Sequence, residues 1–186
     1  DLSDSFGCAY GIQYNQTYPM RFSGDPFVGT LPWYWITNHE LGVLDVDLNG
    51  DGLTDTLSAT NGSAIGYGNV STAWINDGRR GYAEQLGWRL PNGLHLYQLA
   101  LHHSVDTGTR LADVNGDGRV DVVQAKGTEP PRFWLNAGGP TALQASAWRP
   151  TSAWQLPEGI AFADPEGRDT SVRLIDVNGD GMTDIV

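Results

Sequence analysis

Short apolar stretches recur along this chain, each cut off by a polar, glycine-rich turn. The stretches "LGVLDV", "TRLADV" and "VRLIDV" run into acidic turns, and "TDTLSA", "VDVVQA" and "TDIV" leave them. Runs this short, rich in Val, Leu, Ile and Thr, predict strands. The 3.6-residue period of an amphipathic helix is almost nowhere present. The pattern therefore predicts β-hairpins with acid-rich tips.

The three tips read "DLNGDGLTD" from Asp47, "DVNGDGRVD" from Asp113 and "DVNGDGMTD" from Asp176. Counting the first Asp as position 1, side-chain oxygens fall at positions 1, 3, 5 and 9. These are Asp47, Asn49, Asp51 and Asp55 in the first tip, and Asp113, Asn115, Asp117 and Asp121 in the second. In the third they are Asp176, Asn178, Asp180 and Asp184. Three carboxylates this close repel one another unless a cation neutralises them. Calcium suits the set, being a hard cation that takes six to eight oxygens in a flexible shell. Glycine at position 6 (Gly52, Gly118, Gly181) permits the sharp turn. By analogy with known calcium loops, the position 7 carbonyl of Leu53, Arg119 or Met182 adds an oxygen. The side chain at position 7 varies freely, as a backbone ligand allows. Asn-Gly and Asp-Gly alone would account for a hairpin turn. Three copies holding all four ligand positions point instead to three calcium sites. Thiols are absent from the tips and histidine does not recur, which disfavours zinc. A helix–loop–helix calcium hand is excluded too, because position 12 is Ser58 or Gln124 where such a loop needs Glu.

The first Asp advances by 66 and then 63 residues between copies. Asn76 in "AWIND" and Asn136 in "FWLNA" keep a similar interval, as do Pro91 in "GWRLP" and Pro157 in "AWQLP". Each unit predicts a strand, a calcium loop, a strand, a strand ending in Trp-x-Asn, then a turn and a strand ending in Leu-Pro. Four short strands per unit of this length is the pattern of a propeller blade. The fold class expected is all-β, with repeated four-stranded antiparallel blades. Residues 33–91 form one blade around loop 47–55, and residues 92–157 a second around loop 113–121. Residues 158–186 form the first half of a blade around loop 176–184. Residues 1–32, with Asn15 and Pro32 on the same beat, read as the second half of another.

The "DVNGDGRVD" loop between strands, once per blade, resembles the FG-GAP/VCBS repeats of integrin-type β-propellers, and the "WLN" and "WQLP" segments resemble repeats of bacterial secreted propellers. The resemblance implies calcium in the three loops. A recognisable integrin-style phrase, Phe-Gly followed by Gly-Ala-Pro, is absent, so the likeness rests on the calcium-loop half. Three blade equivalents are fewer than a closed ring needs, so the chain reads as part of a larger propeller or as a unit that completes its blades between molecules.

Composition adjusts this picture in a few places. The net charge is −11, and nine of the 22 acidic residues sit in the tips, so the acidity is mostly a metal requirement. No basic stripe exists to meet phosphates or an anionic membrane, so nucleic acid is not an expected partner. No apolar run approaches a membrane span. The chain has neither an initiator Met nor a signal peptide, which reads as a processed or partial product. Cytosolic calcium is too scarce for weak all-oxygen loops, so an extracellular or cell-surface location is expected. Glycosylation sequons occur at Asn15, Asn61 and Asn69. The single Cys8 reads as a buried thiol or an intermolecular bridge.

Tryptophans 74 and 134, and 88 and 154, recur at matching positions, which predicts packing. Trp33 and Trp35 do not recur and are candidates for an exposed ligand surface. His39, His95, His102 and His103 lie in no catalytic arrangement, and no nucleophile or paired-acid context is present, so no enzyme is expected. The function expected is a secreted, calcium-stabilised structural or adhesive scaffold with protein partners or self-association, built head-to-tail into a filament where half-blades complete one another. The alternative is a glycan- or protein-binding propeller of a larger extracellular protein.

Overall fold

A computed structural model describes residues 42–63, 68–79, 81–100, 103–141 and 145–186. The half-blade expected over residues 1–32, with Cys8, and the stretch carrying Trp33, Trp35 and His39 lie outside them, as does His102. Every described element is a strand except for a single 3-10 turn at Leu86–Trp88. The described residues are all-β and propeller-like.

The first meander runs through β1 (Val43–Val46), β2 (Asp55–Asn61), β3 (Asn69–Asn76) and β4 (Tyr82–Glu84), each antiparallel to the one before. A short hairpin follows, β5 (Tyr97–Leu99) and β6 (Ser104–Asp106). The second meander is β7 (Thr109–Ala112), β8 (Asp121–Gln124), β9 (Arg132–Asn136) and β10 (Trp148–Thr151). A final pair, β11 (Leu174–Ile175) and β12 (Asp184–Ile185), closes the described chain. The acidic tips link β1 to β2, β7 to β8 and β11 to β12.

The fourth strand differs from the sequence expectation. It does not run on to Leu-Pro: β4 ends at Glu84 and β10 at Thr151, ahead of Pro91 and Pro157. After the last ladder bond, from Gln85 N–H to Ala73 O, the chain leaves the sheet. Trp88 is then buried between the meanders, where it removes more apolar surface from water than an edge strand would. Gly87 makes this possible, since a Cβ there would collide with Pro140.

The β5–β6 hairpin was also not anticipated. Its β5 pairs in parallel with the end of β2, Thr60 opposite Tyr97, on the edge that β1 has vacated. The connection recurs one unit later as a parallel bridge between Lys126 and Ala163. Two repeated bonds support it, Leu96 N–H to Ala59 O and Phe162 N–H to Ala125 O.

Successive side chains of a strand face opposite sides, and β8 uses this to join two cores. Val122 packs with Leu48, Leu57, Ile75, Trp88 and Trp148 against the first meander. Val123 packs with Phe133 and Phe162, and Leu174 lies against them on the side of the last hairpin. The apolar cores therefore lie between units, as stacked blades require.

Candidate metal sites

The three tips share one hydrogen-bonding scheme. Position 1 accepts backbone N–H groups from within the turn, Gly50 at 2.8 Å and Gly52 at 2.8 Å on the two oxygens of Asp47. Asp113 holds Gly116 and Gly118 at 2.8 and 2.7 Å, and Asp176 holds Gly179 and Gly181 at 2.7 and 2.9 Å. Position 3 accepts the position 5 N–H, and position 5 accepts the position 7 N–H, in every loop. Position 3 also reaches position 5 directly, Asn49 Nδ2 to Asp51 Oδ2 at 2.9 Å, with 3.2 and 3.1 Å in the other two. The glycines at positions 4 and 6 take positive φ throughout, 73–84°. An L side chain would be strained there, so the turn and its glycines are one requirement.

Positions 1, 3 and 5 are thus brought together in all three loops. Position 9 is placed differently, beneath the turn. Asp55 is fully buried and accepts Leu48 N–H at 2.9 Å and Asn76 N–H at 2.8 Å. Asp121, equally buried, accepts Val114 N–H at 3.2 Å and Asn136 N–H at 2.8 Å. Asp184 accepts Val177 N–H at 3.0 Å. Among the described residues, no three carboxylate, imidazole or thiol groups converge on one point.

The electrostatics divide the same way. Burial pushes the Asp55 and Asp121 carboxyls up, and neighbouring loop acids push in the same direction, while the backbone amides oppose both. Asp176, on the exposed third loop, is held below the usual carboxylate range, chiefly by the Gly181 N–H.

The first two loops are also built into the seam with the next unit. The position 2 side chain is the anchor: Leu48 is 0% exposed in the first core and Val114 packs on the second, whereas Val177 is 61% exposed. Asn136 Nδ2 crosses to the first loop and donates to Leu48 O at 2.8 Å while also holding Val120 O at 3.0 Å. Thr183 Oγ1 donates to Asp113 O of the second loop. The position 7 side chain of one loop lies on the position 4 glycine of the loop before, Arg119 on Gly50 and Met182 on Gly116.

Sequence reasoning used Asn76 and Asn136 as spacing marks and missed that both close over position 9. It also missed an Asp-x-x-x-Arg pair ahead of two loops. Arg110 grips Asp106 through two bonds of 3.0 and 2.7 Å, and Arg173 grips Asp169 through two of 2.9 and 2.7 Å. Their shared 63-residue offset was a legible signal. Between each pair sits a residue with positive φ, Gly108 at 70° and Ser171 at 66°.

Of the tryptophans, Trp88 and Trp148 meet edge to face at 6.2 Å and 85°, and Trp148 Nε1 donates to Arg89 O at 2.8 Å. Trp154 is 38% exposed, so the expected equivalence of Trp88 and Trp154 does not hold in their environments. Trp74 and Trp134 are both half-buried, with Arg132 over the Trp134 ring. Of the sequons, Asn61 ends β2 and Asn69 opens β3, where it is exposed; Asn15 lies outside the described residues. His95 is half-buried, which lowers its pKa, and His103 is exposed.

No described helix is long and apolar enough to cross a membrane. No curated protein matches the chain. Residues 113–186 match the family of FG-GAP-like repeats, a span that starts at the first Asp of the second loop and takes in the whole third loop. Residues 113–186 are therefore similar to FG-GAP-like repeats, and the described residues form an all-β, propeller-like architecture.

Proposed function

We propose that this chain is a secreted, calcium-stabilised propeller-type module whose blades form a rigid structural or adhesive scaffold. The observation that carries this reading is the position of the loops on the seams between units. Asn136 and Leu48 join one seam, and Thr183 and Asp113 the next. A cation that fixes a tip also fixes the spacing of two blades. The donor set suits calcium: hard oxygens on a glycine-shaped turn, from Asp47, Asn49, Asp51 and Asp55 and their two matching sets. Amide hydrogen bonds leave lone pairs on these carboxylates, since each oxygen carries two. The FG-GAP-like repeat, usual in extracellular modules, supports secretion. Thermal melts in calcium and in chelator test the reading, with melting expected well below the calcium value in chelator. Identical melts, with no calcium uptake by calorimetry, would refute it.

Self-association belongs to the same reading. Ile175, Val177, Met182 and Val186 are each more than half exposed on the last hairpin, and β12 pairs only with β11 among the described residues. A strand of the β3 or β9 kind, ending in Trp-x-Asn, would cover this edge. Electron microscopy with and without chelator separates fibres from single particles.

A second reading, as a glycan- or protein-binding module, is favoured by an open depression of about 420 Å³ beside the middle loop. Its lining includes Asn115, Asp117, Asn136, Arg149 and Thr151, a set rich in hydrogen-bonding groups. A glycan array compared between the parent chain and Arg149→Ala decides it. Trp33 and Trp35, the other ligand-surface candidates, are tested by the same array.

A further inference from the structure

The three loops share one hydrogen-bonding scheme at positions 1, 3 and 5, and position 7 sets the middle one apart. Position 7 is Leu53 in the first, Met182 in the third and Arg119 in the middle one. Arg119 turns back over its own loop and places Nη2 2.8 Å from Asp117 Oδ2. That oxygen already accepts Asn115 Nδ2, and Asp117 Oδ1 accepts the Arg119 N–H. The position 5 carboxylate of the middle loop is therefore engaged on both oxygens with a full positive charge beside it. Asp51 and Asp180 carry the same neutral bonds and, among the described residues, no ion pair with an arginine or lysine.

An exposed arginine would swing away from an arriving cation at little cost. Arg119 is less free. A Cβ built on Gly50 of the first loop would stand 3.1 Å from its Cγ, and one on Gly138 3.9 Å from its Cζ and Nη1. Its Nε is enclosed and has no hydrogen-bond partner. The stem is thus held between the first loop and the turn after β9, and the guanidinium stays near the acids.

Resting on the calcium reading above, we infer that Arg119 is a built-in counter-cation that makes the middle loop the weakest of the three metal sites. Two like charges within a few ångströms repel, and the arginine has no neutral form at physiological pH. Calcium then fills the first and third loops first. The middle loop keeps its shape without metal, because Arg119 already offsets part of the repulsion among Asp113, Asp117 and Asp121.

The test is isothermal titration of the full 186-residue chain with calcium. The parent should show two sites of similar affinity and a third weaker by roughly tenfold or more. Arg119→Met, which copies the third loop, should bring the weak site up to the other two. Arg119→Lys keeps the charge and should keep the site weak, which separates charge from packing. Asp113→Asn should abolish the weak phase alone, assigning it to the middle loop. Three equal sites in the parent, or no response to Arg119→Met in a chain of unchanged circular dichroism, would overturn this inference and leave the calcium reading standing. No calcium uptake by any variant would overturn both.

Discussion

At the scale of single residues, the heaviest duties fall on side chains with no obvious chemistry. Asn136 is 2% exposed and satisfies two carbonyls from different units, Leu48 O and Val120 O. Removing its amide strands both in a buried place. Asn136→Ala should therefore cost about 2 kcal/mol in denaturant unfolding. Asn76→Ala should cost less than half of that, since among the described residues its Nδ2 reaches Thr54 O alone, at 3.3 Å and near solvent. Ser171 is the other informative residue. It is the one non-glycine among the described residues with positive φ, at 66°, where Gly42 and Gly108 stand at 61° and 70° in the units before. The left-handed conformation strains an L residue by about 1–2 kcal/mol. Ser171→Gly should accordingly raise stability by about 0.5–1 kcal/mol after the loss of chain entropy that glycine brings. An unchanged or lower midpoint would show that the serine side chain compensates.

At the scale of elements, the hairpin tips were legible in the sequence and the fourth strands were not. A tip is local: nine consecutive residues fix the acids, the glycines and their hydrogen bonds. The end of a fourth strand depends on what lies across the seam. Trp88 leaves the sheet because Trp148, sixty residues later, offers an edge-to-face partner and a shared core. The period in the sequence matched Trp88 with Trp154, but burial matches it with Trp148. Trp148→Phe removes the Nε1 bond to Arg89 O and part of the ring contact, and should cost about 1–2 kcal/mol. Trp154→Ala should stay within about 0.5 kcal/mol of the parent. Equal costs for the two would restore the equivalence that the period suggested.

At the scale of the whole molecule, buried charge sets how stability responds to pH, and the proposed metal would reverse its sign. Burial raises the Asp55 and Asp121 carboxyls above their unfolded values. In calcium-free protein their ionised forms are a cost at neutral pH. That cost is relieved as pH falls through their raised pKa values, which lie above the usual carboxylate range. On the proposed calcium reading, loaded protein should respond in the opposite sense, since protons would compete with the metal for the same oxygens. The difference in melting temperature between calcium and chelator should be largest near neutrality and should shrink steadily on acidification toward about pH 4–5. A difference that held constant would mean that the buried acids take no part in binding. His95 adds a smaller trend of ordinary sign. Burial lowers its pKa, so stability present above 6.5 falls as the pH drops below that value.

The sequence by itself determined the strand–tip–strand hairpins, their oxygen donors and the beat at which they recur, because each depends on neighbours a few residues apart. Only the tertiary structure decided where those hairpins meet. It set Leu48 and Val114 as anchors in the seams, drew Trp88 onto Trp148, and folded Arg119 back over Asp117. Those contacts join residues a blade apart or rest on packing from a neighbouring blade. Their free energy comes from burial and charge in a shared interior that no local window of sequence contains.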